Sequence, residues 1–206
     1  MNCIQTFRSE AEATGTAPRC LRAPRNGGFT LIELLIVMTV GGIILGLAVP
    51  AMRQFVQNQR LSSAATSLVF ALNYARSEAI KEDVPSTFGV GGVQVCASAD
   101  GLTCDPAGAW QNGWIVLSPN SATPLQVSGP LPAGVTVSQN APTPQVIFMS
   151  TGQLPTGALA VAQLQFKFCD PRGGAFAHEI EVNQTGYVAG SPIAGVDVAQ
   201  VPLVCP

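Results

Sequence analysis

The chain has 206 residues, enough for one ordinary domain together with a tail or a membrane helix. It is 47% apolar and only 11% charged, well below the charged share of about 25% in typical soluble proteins, which disfavours a freely soluble domain and suggests a membrane segment. Charge is also uneven: residues 1–28 hold four arginines against two glutamates, whereas residues 84–206 hold two basic side chains against six acidic ones.

A single apolar run dominates the sequence. Phe29 to Val49 comprises 21 residues and contains only Thr30, Glu33 and Thr39 as polar side chains. A helix of this length rises about 30 Å, the thickness of the hydrocarbon core of a bilayer. A buried core helix is the alternative, but core helices of this length usually keep a polar face. The arginines before the run place the N-terminal head in the cytoplasm by the positive-inside rule.

Helical character continues beyond Pro50. Apolar side chains recur three and four residues apart between positions 61 and 79, with polar side chains on the other faces, which predicts an amphipathic helix. The apolar set is Leu61, Ala64, Ala65, Leu68, Leu72, Ala75 and Ala79. This helix is expected to end at residues 81–83, ahead of Pro85. Both segments together predict one helix of about 80 Å with a kink at Pro50.

The pattern changes to a period of two after Val84. Short segments rich in Val, Ile and Phe, separated by Gly and Pro, predict strands at 93–95, 114–117, 135–137, 146–148, 164–168 and 179–182. The predicted fold class is therefore α+β: a long N-terminal helix, membrane-spanning in its first half, packed on a C-terminal antiparallel β-sheet domain.

The six cysteines fall into two groups. Two lie in the basic head, Cys3 and Cys20, and the body holds the other four, Cys96, Cys104, Cys169 and Cys205. An even set of four is typical of disulfides formed in an oxidising compartment, and it allows three pairings. A zinc site is the alternative, but two thiols with seven residues between them and no clustered histidine argue against zinc.

The start of the apolar run carries a more specific signal. Gly28 precedes Phe29, and Glu33 is the fifth residue of the run, behind a basic head. The sequence Gly-Phe-Thr-Leu-Ile-Glu resembles the cleavage site of the prepilin family, and specifically of its GspH/FimT branch. A secretory signal peptide fits less well, because its apolar stretch is usually only about 7–15 residues long. The resemblance implies that prepilin peptidase cuts after Gly28 and methylates the new N-terminus at Phe29.

Segments of the body extend the resemblance to the end of the chain. Ala75–Lys81 is similar to the end of the family's helix, and Trp110–Val116 is similar to the segment that follows. Phe168–Gly173 and Cys205–Pro206 are similar to its last strands. The resemblance implies a pilin-like fold with the disulfides Cys96–Cys104 and Cys169–Cys205.

The implied precursor has four parts. Residues 1–28 form a cytoplasmic leader, 29–50 a transmembrane and filament-core helix, 51–83 its amphipathic continuation, and 84–206 a periplasmic β-rich domain. The protein is expected as a single-pass inner-membrane protein that then joins a filament of other pilins or pseudopilins as a structural minor subunit. Whether that filament is a type II secretion pseudopilus or a type IV pilus stays open.

The presence of Glu33 in a membrane helix requires an explanation, because a carboxylate at mid-bilayer costs about 2.5–3.5 kcal/mol on insertion scales. Cleavage before Phe29 creates an α-amino group with a reference pKa of about 8, which is cationic at neutral pH and stays so when methylated. The resemblance implies that Glu33 of one subunit pairs with this amine of a neighbour. The alternative is that Glu33 snorkels to the interface. Gly42 and Gly46 form a GxxxG pair that favours helix packing, although apolar segments often contain it by chance.

DNA binding is the alternative function, since some FimT-like minor pilins bind DNA during natural transformation. The resemblance implies a Gly-Arg-x-Arg motif near the C-terminus, but Thr185–Gly190 lacks both arginines. DNA affinity depends mainly on cationic contacts to phosphate, so the acidic body disfavours it. Gly186 and Tyr187 are expected to form an ordinary hairpin turn, and the body is not expected to bind duplex DNA at moderate salt.

Catalysis is not expected. The sequence contains no GxSxG, HExxH, P-loop or dinucleotide fingerprint, so neither a cofactor nor a small-molecule substrate is predicted. His178 is the lone histidine and is interpreted as structural. Glu179 and Glu181 alternate with Ile180 and Val182 and are expected on the solvated face of a strand. The protein is thus predicted to be a substrate of prepilin peptidase and not an enzyme.

Overall fold

The structure is a computed structural model that describes residues 28–82, 92–155 and 163–205. By its internal contacts the chain divides into two compact units, Met1–Ala48 and Val49–Pro206. The predicted leader up to residue 27, including Cys3 and Cys20, lies outside the described residues.

One long helix, α1, runs from Leu31 to Glu82 over 52 residues. Its predicted end is confirmed, since Glu82 falls within the expected range of 81–83. The helix continues through Pro50, where a kink stays a prediction. By length and composition, α1 is apolar enough to cross a membrane: its most hydrophobic stretch has a mean hydropathy of 2.5 and none of it is buried.

In the described residues, eight short strands form two antiparallel sheets. The first sheet has the order β3-β2-β1-β5 and the second has the order β4-β6-β7-β8. In chain order the strands are β1 (Val93–Ala97), β2 (Trp114–Leu117), β3 (Gln126–Ser128), β4 (Thr136–Gln139), β5 (Gln145–Phe148), β6 (Gln163–Cys169), β7 (His178–Asn183) and β8 (Val188–Gly190). The structure thus confirms the α+β class and the antiparallel pairing.

The six predicted strands are present, with one shift in position. The strand expected at 135–137 begins instead at Thr136 and reaches Gln139. Val135 belongs to the preceding turn, because its backbone N–H donates to the carbonyl of Pro132. The sequence did not predict β3 and β8, each of which has only three residues.

The core of the unit Val49–Pro206 lies where the second half of α1 meets both sheets. All seven apolar side chains of the predicted helix face are buried, and Ala71 is an eighth. They share one cluster with inward-facing residues of the first sheet, such as Val95 and Phe148, and of the second sheet, such as Phe166 and Ile180. Five of the eight helix residues are alanines, and such small side chains allow a helix to lie close to a sheet.

Trp110 links the two sheets from a short 3-10 turn between β1 and β2. Its ring lies edge-on to Phe166 of β6, with the centroids 4.9 Å apart. The indole Nε1–H donates to the carbonyl oxygen of Thr143, ahead of β5, at 3.1 Å. A buried tryptophan usually needs such a partner for its N–H, so the contact fixes the ring as well as filling the core.

Candidate functional site

The first candidate site is the start of α1, where chemistry on the backbone was predicted. Gly28, Phe29 and Thr30 precede the helix, and Phe29 is 79% exposed. The hydroxyl of Thr30 accepts a hydrogen bond from the backbone N–H of Glu33 at 3.3 Å, and the Thr30 carbonyl accepts from Leu34. Thr30 is therefore the N-cap, and Glu33 sits in the first turn, where the helix dipole favours a carboxylate.

The glycines of this segment are not in close contact with other parts of the described chain. A Cβ atom added at Gly28, Gly42 or Gly46 would meet no atom from elsewhere in the described residues within 4 Å. A requirement for glycine at these positions is therefore consistent with contact to another molecule, such as a processing enzyme or another helix.

Large apolar side chains cover the first half of α1 and are exposed. Those from Leu31 to Val49 are between 48% and 82% exposed. Exposed apolar surface on this scale marks a membrane or protein interface, because water does not solvate it favourably. Glu33 is the only charged side chain between Phe29 and Val49.

The four body cysteines form two disulfides in the structure. Cys96 is bonded to Cys104, with the Cα atoms 5.5 Å apart, and Cys169 is bonded to Cys205, with the Cα atoms 5.9 Å apart. This is the pairing that the resemblance implies. Both Cα separations lie in the usual range for disulfides.

The Cys96–Cys104 disulfide closes a loop that Asp100 organises. The Asp100 carboxylate accepts hydrogen bonds from the backbone N–H groups of Leu102 and Thr103 and from the hydroxyls of Thr103 and Ser98. These donors, first of all the Thr103 backbone N–H, hold the pKa of Asp100 well below its usual range. Leu102 nevertheless remains 66% exposed on this ordered loop.

The Cys169–Cys205 disulfide ties the C-terminal segment, residues 191–205, to the outer face of the second sheet. Leu203 is buried beside Cys169 and Ala177. The Lys167 ammonium donates to the backbone carbonyl of Val204 at 3.0 Å. The backbone N–H of Ser191 donates to the carbonyl of Glu179, so the segment begins along the edge of β7. It therefore covers residues that the alternation of β6 and β7 directs outward.

The prediction that Glu179 is solvated is wrong. Glu179 is only 3% exposed, and one of its carboxylate oxygens has no hydrogen-bond partner among the described residues. Burial raises its pKa, the charges of Asp197 and Glu181 raise it further, and Lys167 opposes them. Glu179 does point away from the core, as the two-residue alternation of β7 predicts, but the C-terminal segment covers that face of the sheet.

His178 does not form a catalytic cluster with the residues that the structure describes. Burial lowers its pKa, which favours the neutral imidazole. The described ranges hold no group of three or more His, Cys, Asp and Glu side chains placed to bind a metal ion. The interpretation of His178 as a structural residue is consistent with this environment.

The segment that lacks the two arginines of the Gly-Arg-x-Arg motif begins in a tight hairpin turn. It joins β7 to β8, and Asn183 accepts hydrogen bonds at its side-chain oxygen from the backbone N–H groups of Thr185 and Tyr187. Gly186 has a φ of +75° and packs against the carbonyl of Gly152, so glycine is required there. The predicted turn is confirmed.

Arg172 joins the turn after β6 to α1, a contact that the sequence does not predict. The Arg172 guanidinium makes two hydrogen bonds of 2.6 and 2.8 Å to one oxygen of the Asp170 carboxylate. It also donates to the Asn58 side-chain oxygen at 2.6 Å and lies 4.1 Å from the centroid of the Phe176 ring. In the sequence, Asp170-Pro171-Arg172 is part of a segment similar to the family, and nothing in it indicates the partner Asn58, which is 114 residues away.

Two protein families match this chain. The family of the type II transport protein GspH matches residues 64–186, which is more than half of the chain. The prokaryotic N-terminal methylation motif matches residues 24–49 and so includes Gly28, Phe29 and Glu33. Neither match includes residues 187–206, so the resemblance there stays an expectation.

Known proteins are similar over shorter or more divergent stretches. The type IV major pilin protein PilA of Myxococcus xanthus (strain DK1622) is 47% identical over 45 residues, which are 22% of this chain and only 20% of that protein. The crystal structure of the Pseudomonas aeruginosa (strain PAO1) type IV minor pilin FimU in space group P21 aligns with a TM-score of 0.52 at 22% identity, covering 74% of this chain and 99% of that chain. A second FimU crystal form, in space group P65, aligns with a TM-score of 0.50 at 21% identity, covering 71% and 100%. At this identity the likeness shows a common fold.

Proposed function

The chain belongs to the family of the type II transport protein GspH and carries the N-terminal methylation motif of prokaryotic pilins, and on this basis we propose that it is a minor pilin or pseudopilin. Its role is structural: it assembles with other pilins into a filament through α1. The observation that carries the proposal is the combination, on one continuous helix, of a methylation motif with an exposed apolar half and a GspH-type body.

We infer the following order of events for the precursor. Its leader, residues 1–28, lies in the cytoplasm, α1 crosses the inner membrane, and the β-rich domain lies in the periplasm. Prepilin peptidase cleaves between Gly28 and Phe29 and methylates the new amine. The exposed, non-helical backbone at these residues supports this step, because a protease needs an extended substrate segment. The free space around Gly28 supports it too, since no side chain or backbone elsewhere in the described residues would meet a Cβ atom there.

Filament assembly then depends on Glu33. Its carboxylate lies within one helical turn of the new N-terminus, on the only charged side chain of the apolar half. A subunit that enters a filament exchanges lipid contacts for helix contacts, and the Phe29 amine of a neighbour offsets the buried carboxylate in low dielectric. The pair therefore attracts the incoming helix and also fixes its position along the neighbouring helix.

Replacing Glu33 with Ala tests this mechanism. We expect Glu33→Ala to be cleaved normally but to enter filaments poorly, because the partner amine is left unpaired. Sheared filament fractions and whole-cell fractions, each immunoblotted for the protein, measure incorporation. Glu33→Asp is the matched control and should retain part of the incorporation. Normal filament entry of the alanine variant would refute the pairing.

The processing step has its own test, Gly28→Leu. We expect an uncleaved precursor heavier by about 3 kDa, the mass of a 28-residue leader at a typical average residue mass. Gly42→Leu is the control, since a side chain at that position is equally free of contacts within the chain and lies away from the cleaved bond. Cleavage of Gly28→Leu at the normal rate would contradict the proposed site.

A further inference from the structure

One surface of the unit Val49–Pro206 combines exposed apolar side chains with cations. On α1, directly after the apolar run, Met52 and Phe55 are 61% and 63% exposed. Arg53 and Arg60 are exposed on the same helical segment. Neither arginine forms an ion pair with any residue that the structure describes.

Arg172 connects this helical segment to the turn at residues 174–176, which in turn packs on the C-terminal segment. Arg172 donates to Asn58 of α1 and lies against Phe176, which is 38% exposed. Gly174 lies against the backbone of Leu203 and Val204, and Val204 is 75% exposed. We call this the basal surface, made of Met52, Arg53, Phe55, Arg60, Arg172, Phe176 and Val204.

The charges of the basal surface are predominantly positive. Arg172 is paired with Asp170, and their side chains are only 17% and 6% exposed, so this pair adds no net charge and the positive charge comes from Arg53 and Arg60. Glu179 is buried under the C-terminal segment, and its charge is close to those of Lys167 and of Asp197 in that segment. By contrast, residues 92–155 carry two acidic side chains and no cation.

The helical part of the basal surface follows directly after the predicted membrane span. Arg53 follows Val49 by four residues, a helical rise of about 6 Å, and Asn58 follows by nine residues, about 14 Å. A headgroup layer adds about 5–7 Å to each side of the hydrocarbon core, and electrostatic attraction extends about 8 Å further at physiological salt. Cations directly after a span on its translocated side also oppose the usual bias of basic residues, so a separate reason for them is required.

We propose that the basal surface docks on the anionic lipid headgroups of the membrane that α1 crosses. Arg53 and Arg60 attract lipid phosphates, while Phe55, Phe176 and Val204 enter the boundary between headgroups and acyl chains, a combination typical of interfacial proteins. This inference rests on the proposed membrane span. Docking holds the domain against the bilayer until the subunit moves into a filament.

The test uses the full-length protein in vesicles of phosphatidylcholine, with or without phosphatidylglycerol. A fluorophore is introduced through a non-natural amino acid at position 204, which leaves every cysteine in place, or at position 102 as the control. Leu102 is 66% exposed in the stretch without cations. We expect a water-soluble quencher to reach the label at 204 severalfold less well than the label at 102 in the anionic vesicles. High salt should remove the difference.

The double variant Arg53→Gln/Arg60→Gln should weaken docking about tenfold or more, since each basic residue contributes to attraction by an anionic surface.

Two results would overturn the inference and can be told apart. Equal quenching of both labels in anionic vesicles, with the protein still floating with the vesicles, would refute lipid docking alone. Failure of the protein to float with any vesicle would refute the membrane span in the proposed function, and the docking with it.

Discussion

Glu179 is a buried carboxylate whose charge its neighbours do not offset. Lys167 lies opposite it in the register of β6 and β7, but its ammonium is directed to the carbonyl of Val204. Asp197 and Glu181 add negative charge nearby, and burial is the largest cause of the raised pKa of Glu179. The folded state therefore binds the proton of this carboxyl more tightly than the unfolded chain does.

The sign of the pH dependence follows from this raised pKa. The contribution of Glu179 to stability is fully present below its ordinary pKa of 4.5 and is lost as the pH rises through the higher folded value. We expect Glu179→Gln to stabilise the protein at pH 7 by about 1 kcal/mol, because glutamine fills the same space without a charge to bury. This gain should vanish near pH 4, where both states carry a neutral carboxyl. Urea unfolding at a series of pH values measures it.

Glu181 provides the matched control for that experiment. It lies two residues further along β7, carries the same charge and is only partly buried. Glu181→Gln should change stability little at either pH. If Glu179→Gln instead destabilised the protein equally at pH 4 and pH 7, the charge of Glu179 would not be the cause.

The burial of Glu179 could not be predicted from its strand. The alternation of β7 correctly indicates which side chains point away from the core, but it does not reveal whether another segment covers the outer face. That cover comes from residues 191–205, which form no regular element longer than an isolated bridge between Val196 and Pro202. The partners of Arg172 were missed for a similar reason, since Asn58 is distant in sequence.

Helices and strands could be predicted where their own sequence shows a clear hydrophobic period. The helix face from Leu61 to Ala79 repeats every three to four residues, so its buried side chains could be named from the sequence. The strands β3 and β8 were missed because three residues are too few to show a period of two. Each exists because a longer neighbour pairs with it, β2 in one case and β7 in the other.

The two disulfides should differ in their contribution to stability. Cys96 and Cys104 are 8 residues apart, whereas Cys169 and Cys205 are 36 apart. In the chain-entropy model, loops of these lengths stabilise the folded state by about 2.5 and about 4 kcal/mol. We therefore expect Cys169→Ala/Cys205→Ala to lower the free energy of unfolding more than Cys96→Ala/Cys104→Ala.

Urea unfolding of the two double variants, compared with the parent protein, measures this difference. The Cys169–Cys205 variant should also show faster proteolysis of the segment 191–205, because the burial of Leu203, the Lys167 hydrogen bond to Val204 and a few backbone hydrogen bonds then hold it without a covalent link. Equal destabilisation by both variants, without added proteolysis, would show that the C-terminal segment is held by its packing alone.

At the scale of the whole molecule, the chain combines two tasks that need different surfaces. Within the part of the chain that the structure describes, the large apolar side chains of the first half of α1 are exposed, which suits helix packing in a filament. The unit Val49–Pro206 buries its own core around the second half of the same helix. Because one helix serves both tasks, a change in the apolar half should affect assembly without unfolding the body.

The type of filament is best assigned through a deletion strain. The matching family is that of a type II transport protein, so we expect deletion to reduce several secreted proteins in the culture supernatant. Complementation with the intact gene should restore them, whereas complementation with Glu33→Ala should not, because the variant folds but does not assemble. An unchanged supernatant together with lost twitching would contradict this assignment and indicate a type IV pilus instead. Comparing supernatant profiles and twitching in the same strains distinguishes a secretion pseudopilus from a type IV pilus. A filament subunit is required only for the process that its own filament drives.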